Sequence, residues 1–599
     1  MSARIRAMSQ FTLRLRQLLV ASLLLGNLPA TALAATPVKN PDAYTYLTIS
    51  DSDSLDPAYS YDTASHMIIL NIYEPLFQFD KSSTEKLIPL AAAQVPSREN
   101  GLISADGRTY TIPIRKGVKF HDGTPMTAED AKWSVLRFLL LDRAAGPSSL
   151  LLEPLLGYPS TRGDDGKILP TVWADANRAV STQGDKLIIR LPRPYAPIMT
   201  ILASWSPILS KDWAVKNGDW DGTEATWQKY NNPSKETSPF FERANGTGPF
   251  KLERWDRKTK EFILTRNDQY WRAPAKLKNI VIKGVNEFGT RKLMLQAGDA
   301  DAIYADRPLL TQLQGIAGVK IIDDLPTLEM NPVVFFTYKI NAVGNSFLGS
   351  GKLDGNGIPA DFFSDKDVRK AFAYSFDYKG FISDVMRGKG TQATGAIPKS
   401  LPGHNPNGRK YSLDKKKAEE HFRKAYGGKL WEQGFKFTMA FNSGNLPRQT
   451  VCQILKRNIE GLNPKFKIDV RAVEWPTFLD NYKSSKLPIF VMGWNADYPD
   501  PHNFAFPLLH SKGDYPTTQR FKDPEFDRLV EEGNAETNIA KRKVIYAKLQ
   551  DLAYEEVPQL YVLDAVRYRT QRDWVKGWFH NPIFPDSPYG GYFYTLSKE

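Results

Sequence analysis

The residues best able to do chemistry fall in one short stretch, Trp494-Asn495-Ala496-Asp497-Tyr498-Pro499-Asp500-Pro501-His502. Two carboxylates and a histidine so close together could hold a metal ion or act as a hydrolytic acid–base pair. Asp500 has a structural alternative, because aspartate followed by proline is an ordinary helix start. Asp497 sits between aromatic residues, where a carboxylate can meet a ligand. The stretch follows Leu487 to Gly493, an apolar run that reads as a buried strand, and α/β folds place ligands beyond the C-terminal ends of such strands.

Other catalytic arrangements are missing. No glycine-rich loop ends in Gly-Lys-Ser/Thr, no GxGxxG follows a strand, and no G-x-S-x-G elbow occurs. The seven histidines never fall at zinc-ligand spacing. The single cysteine, Cys452, lies in the apolar run Val451 to Leu455 and reads as a small buried side chain. The sequence therefore leads us to expect no catalytic residue, no metal and no cofactor.

Elements that would position the acidic stretch alternate between strand-like and helix-like, which argues for an α/β protein. Tyr110 to Ile114, Lys186 to Leu191, Phe250 to Trp255 and Asn279 to Ile282 read as strands. Thr127 with Asp130 forms a capping-box pattern, and Ser364 with Asp367 repeats it. Asp523-Pro524 supplies a cap and a first-turn proline. Ile545, Leu549, Leu552 and Ala553 share one helical face. Polar, Gly- and Pro-rich stretches at 157–170, 217–237 and 344–358 read as surface loops.

The 599 residues carry a formal charge of +13 and include 13 Trp, 26 Tyr and 32 Phe. Arg4, Arg6, Arg14 and Arg16 precede an apolar run from Leu18 to Leu28, and Ala32-Leu33-Ala34 offers small residues to a signal peptidase. The run is shorter than the ~20 residues a membrane span needs, so a cleaved secretory signal is expected rather than an anchor. With no cysteine at the cleavage site, the mature chain is expected free in a periplasm, not lipid-anchored. One cysteine also excludes an internal disulfide. Charges of both signs are interspersed, with no basic stripe of the kind that binds nucleic acid.

Several segments, in order, resemble the family 5 extracellular solute-binding proteins of ABC importers, the oligopeptide/dipeptide-binding type. The most specific is Arg115-Lys116-Gly117-Val118-Lys119-Phe120-His121-Asp122-Gly123-Thr124-Pro125, running into Thr127-Ala128-Glu129-Asp130-Ala131. Ser54-Leu55-Asp56-Pro57, Tyr73-Glu74-Pro75-Leu76 and Gly246-Thr247-Gly248-Pro249-Phe250 match other family segments. So do Arg266-Asn267 with Tyr270-Trp271, Gly298-Asp299-Ala300-Asp301, Asp367 to Ala371 with Asp377, and Gly493-Trp494 with Asp497. Most of these residues read as structural on their own terms: glycines for turns and chain crossings, Thr127 as a cap, His121 as a satisfied histidine.

The resemblance implies a bilobed periplasmic-binding-protein type II α/β fold with an additional third domain, woven from separate chain segments. The expected division is 1–34 signal peptide, 35–73 first lobe, 74–184 extra domain, 185–335 first lobe again, 336–557 second lobe and 558–599 a return to the first. It implies a monomer that closes on a peptide and delivers it to an ABC-type permease in the inner membrane. In peptide-binding members the position matching Asp497 pairs with the ligand ammonium, and Trp494 would supply an apolar wall. Asn495, Tyr498, Tyr59, Tyr61 and Asp62 complete the expected ligand set. Some oligopeptide binders carry an arginine just before the Gly-Trp pair, but this chain has Ile489-Phe490-Val491-Met492 there. The family also includes binders of nickel complexes, haem, glutathione, opines and oligosaccharides, so these solutes stay open. A hydrolase using Asp497 and Asp500, and an envelope chaperone or sensor partner, are the remaining alternatives.

Overall fold

The computed structural model describes residues 38–536, 538–583 and 592–599, so the expected signal peptide lies outside the described residues. Among those described, no helix is long and apolar enough to cross a membrane.

Two sheets organise the chain from Asn40 onward. In the seven-stranded sheet, Ala43–Thr48 lies near the centre and runs parallel to both neighbours, Ala302–Ile303 and Asn279–Gly284. Antiparallel strands extend it: Glu261–Arg266 and Phe250–Asp256 on one side, Arg567–Arg572 and Val319–Leu325 on the other. The five-stranded sheet has Phe435–Asn442 parallel to Phe466–Val473 and to Ile489–Asn495. Glu329–Phe336 and Gln559–Tyr561 complete it in antiparallel fashion. Ile489 to Met492 are all buried, so both faces of this strand are covered, as its unbroken apolar run predicts.

A smaller three-stranded sheet joins Thr109–Pro113, Lys186–Arg190 and Val180–Gln183. Its strand Lys186–Arg190 lies beyond the expected boundary at 184. Likewise Glu329–Phe336 runs through the boundary at 335, and Gln559–Tyr561 belongs to the five-stranded sheet rather than the first lobe's.

The helix caps form locally. Thr127 and Asp130 make the reciprocal box, with Asp130 Oδ2 accepting the Thr127 N–H at 2.9 Å. Asp523 caps the helix Pro524–Ala535, with proline in its first turn. The Ser364 cap shifts by one residue. Asp365 accepts the Asp367 and Val368 N–H groups, and the Ser364 hydroxyl donates to the Tyr338 carbonyl at 2.6 Å. A carboxylate is the stronger acceptor at a helix start, so it displaces the hydroxyl. On the helix Ile539–Glu556 the buried face is Tyr546, Leu549, Gln550 and Ala553, rotated from the expected stripe, with Ile545 and Leu552 half-buried.

Many of the signature residues tie segments together rather than lining a cleft. Asp56 is fully buried and accepts both terminal nitrogens of Arg137 at 2.8 and 2.6 Å. Glu74 receives the Thr247 hydroxyl, the Tyr270 hydroxyl and the Trp271 indole N–H, so three motif segments meet on one carboxylate. Gly246 and Gly248 pass the end of the helix Thr63–Ile72 so closely that a Cβ would lie 2.2 and 2.6 Å from the Ile72 carbonyl oxygen. Only glycine fits there. His121, half-buried with its ring nitrogen 3.0 Å from the Gly248 carbonyl, has its pKa pushed down by loss of solvent to about 4.

Candidate functional site

The parallel strands of both sheets direct their C-terminal ends at one cavity. Ile49 and Ser50 follow the strand Ala43–Thr48. Asn442 and Asn445 end the strand Phe435–Asn442. Gly493 to Asn495 and Asp497 close the strand Ile489–Asn495. This is where an α/β sheet leaves loops free to meet a ligand. Gly493 is required by packing, because a Cβ would lie 2.6 Å from Asn331 Cβ across the pair of strands.

Asp497 is 4% exposed. Its Oδ2 accepts the Tyr61 hydroxyl at 2.8 Å and the Asn503 amide at 2.9 Å, while its own N–H donates to Asn503 Oδ1 at 2.7 Å. Burial pushes its pKa up to about 7, with the two hydrogen bonds opposing and the neighbouring Asp514 adding to the rise. Asp514 also lines the cavity and is pushed by burial up to about 6, though it accepts the Tyr482 hydroxyl at 2.6 Å. Asp62 caps the helix Thr63–Ile72, accepts the Trp475 indole N–H at 3.1 Å and is likewise raised by burial. Among the described residues, no cation lies within 4 Å of Asp62, Asp497 or Asp514.

The opposite charge sits on the same cavity wall without a carboxylate. Arg448, in the first turn of the helix Leu446–Glu460, donates to Asn442 Oδ1 at 2.9 Å, and its buried Nε has no partner among the described residues. Burial holds its pKa below the usual guanidinium value. Arg567, by contrast, is paired with Glu329.

The expected ligand residues separate into two groups. Asp497, Trp494, Asn495, Tyr61 and Asp62 all line the cavity. Tyr61 stands edge-on to both Trp494 and Trp205, at 5.4 and 5.2 Å, and the Trp494 indole nitrogen is unpartnered. Tyr59 does not reach this space: it is fully buried, its hydroxyl donates to the Pro233 carbonyl, and Arg143 covers its ring at 4.7 Å. Tyr498 turns the other way, its hydroxyl meeting that of Tyr195 at 3.2 Å in a small separate pocket.

Asp500 stays out of the cavity altogether. It holds Arg542 in a bidentate pair at 2.6 and 2.8 Å and accepts the His502 N–H, so it locks two helices together. The pairing of Asp497 with Asp500 that a hydrolytic dyad needs is absent. Among the described residues, no cluster of His, Cys, Asp and Glu suits a metal.

The cavity lining also includes Arg448, Asp514, Trp475 and Tyr482, which the sequence did not single out. Arg448 lies in the first turn of the helix that follows the strand Phe435–Asn442.

Side chains from segments that flank the two sheets also grip each other beside the cavity. Lys235 reaches Asp53 at 2.5 Å and Asp480 at 2.9 Å, and Lys483 lies 3.4 Å from Asp53. Lys260 pairs with Glu474, which also accepts the Asn286 amide. Asp480 and Lys483 stand on the helix Trp475–Lys483, the element that presents Trp475 and Tyr482 to the cavity.

A family model described as bacterial extracellular solute-binding proteins, family 5 Middle, matches residues 86–516. The chain belongs to this family. It is 26% identical over 525 residues to the oligopeptide-binding protein OppA of Bacillus subtilis, covering 84% of each chain. It is equally 26% identical over 541 residues to heme-binding protein A of Haemophilus influenzae, covering 89% of this chain and 88% of that one. Among solved structures, the periplasmic binding protein DppA of Helicobacter pylori, in complex with the peptide STSA, superposes with a TM-score of 0.72 at 21% identity. That match covers 93% of this chain and 98% of the other. The fold is therefore the multi-domain α/β fold of the periplasmic binding proteins, as the sequence motifs led us to expect.

Proposed function

We propose that this chain is the periplasmic receptor of an ABC importer and that it captures a short peptide in the cavity between its two main sheets. The observation that carries the reading is one cavity holding buried carboxylates without cations and a guanidinium without an anion. A zwitterionic peptide supplies both missing partners. Its ammonium meets Asp497, and its carboxylate meets Arg448.

Opposite charges ~4 Å apart gain about 4 kcal/mol at an effective dielectric of ~20. Desolvation of both groups consumes part of that. The remainder of the ligand rests against Trp494, Trp475 and Tyr61, whose rings offer apolar contact with little side-chain entropy to lose. The Lys235–Asp53–Asp480 bridge supports a closed arrangement that a permease could recognise, by hinge motion of the lobes. Export by a signal peptide, diffusion without a lipid anchor and a monomeric state belong to the same reading.

The relatives' names support the class of solute, since OppA is named for oligopeptides, while heme-binding protein A marks the family's other ligands. Mass spectrometry of the ligand co-purified with the mature protein tests the proposal. A peptide is the expected find, and a haem, metal complex or sugar in its place would refute it. Recovering an added peptide uncleaved after long incubation is expected of a receptor and not of a hydrolase.

A further inference from the structure

Several buried carboxylates of this protein are matched by cations: Asp56 faces Arg137, Asp53 faces Lys235 and Asp301 faces Lys598, and on the cavity wall itself Glu329 faces Arg567. Others, such as Glu74, are satisfied by several neutral donors instead. Around the cavity the balance fails. Asp62, Asp497 and Asp514 all lack a cation within 4 Å among the described residues, against one unpaired guanidinium, Arg448. A zwitterion with a single ammonium would leave the acidic end undercompensated, and unpaired buried charge is costly.

The unsatisfied atoms lie beside Tyr61. Asp62 Oδ2 and Asp514 Oδ1 are buried and have no hydrogen-bond partner among the described residues. Two further side chains on this cavity, His66 and Trp494, are 2% and 7% exposed and present ring nitrogens equally without partners. These groups point to a polar ligand end larger than one ammonium. Asp514 and Tyr61 stand where the main cavity meets the small pocket beside Tyr195 and Tyr498, so a second positive group entering the main cavity next to Tyr61 would face Asp514.

Resting on the peptide reading above, we propose that the preferred ligand is a peptide whose first residue is basic. Its α-ammonium pairs with Asp497, and its side-chain ammonium or guanidinium pairs with Asp514, with Asp62 adding attraction. Asp514 is thus a specificity-determining residue that reads the ligand's second positive charge. A neutral first residue of the same length would bind by the backbone alone and leave Asp514 without a partner.

The test titrates the mature protein calorimetrically with Lys-Ala-Ala, norleucine-Ala-Ala and Ala-Ala-Ala, the first two differing by one charge at nearly constant shape. Lys-Ala-Ala should bind at least about tenfold tighter than the norleucine peptide. In Asp514→Asn, which keeps an acceptor for Tyr482, the ratio of the two affinities should collapse towards one. Equal affinities for the two peptides in the unmutated protein would overturn the inference and leave the peptide reading standing. A preference that survives Asp514→Asn would overturn the assignment to Asp514. Silence from all three peptides would overturn the peptide reading and this inference together.

Discussion

The Tyr61 hydroxyl donates to the Asp497 carboxylate at 2.8 Å, joining residues 436 positions apart in the chain. Tyr61 leads into a helix that follows the seven-stranded sheet's first strand, and Asp497 follows a strand of the five-stranded sheet. The bond therefore spans the two halves of the cavity. It orients the carboxylate that a ligand ammonium would meet. Loss of the hydroxyl in Tyr61→Phe should weaken peptide binding by about three- to tenfold, as expected for one hydrogen bond to a charged group. Calorimetry on both proteins checks this.

Asp497→Asn should separate function from stability. Binding of free-amine peptides should fall by at least about a hundredfold, since a buried charge pair is lost. Stability of the ligand-free protein should move the other way. The folded pKa of Asp497, about 7, lies above the unfolded value, so this group's contribution is fully present below about pH 4 and is lost as pH rises through about 7. Asparagine cannot ionise and escapes that loss. The variant should thus melt a few degrees higher than the parent at pH 8 and equally at pH 4, as read by calorimetric Tm.

Peptide affinity should depend on pH through Asp497, and for a peptide with a basic first residue through Asp514 as well. A cation binds the ionised carboxylate, so affinity should fall as pH drops from about 7 to about 5. Above about pH 8 the ligand's α-amino group loses its own proton and affinity should fall again. Titrations near pH 6.5 in buffers of different ionisation enthalpy should reveal protons released on binding.

Arg448→Gln should weaken binding of a peptide with a free C-terminus by about tenfold or more and leave its C-terminal amide nearly unaffected. Equal losses for both peptides would mean that Arg448 supports the wall rather than the ligand carboxylate.

Lys235→Ala removes the bridge between Asp53 and Asp480, with Lys483 left to partner Asp53. Affinity should drop by about three- to tenfold, mostly through faster release, because the closed arrangement loses a contact that no ligand supplies. Stopped-flow dissociation rates measure this directly.

Local pattern made parts of this protein legible in sequence. The Thr127–Asp130 box, the Asp523-Pro524 start and the buried run before Gly493 depend on neighbours a few residues away, and each forms where expected. Asp497 was legible for the same reason: an acid beyond the end of a buried strand. Arg448 was not, because in sequence it is one more exposed-looking arginine after Leu446-Pro447. Its meaning lies in having no carboxylate within 4 Å among the described residues, which only the folded chain reveals. Asp514 hid likewise after Gly513. Tyr59 and Tyr498 were included for lying next to the right residues, but chain neighbours can point to opposite sides, and both face away from the main cavity.

The account rests on Asp497 recognising a free ammonium, and one comparison tests that most directly. The mature protein is titrated with a tripeptide and with its N-acetylated form, in the same buffer at pH 7.5. The free peptide should bind and the acetylated one should bind at least about a hundredfold more weakly, because acetylation removes the only charge facing the carboxylate. Equal affinity for the two would contradict the assignment of Asp497 and the account built on it.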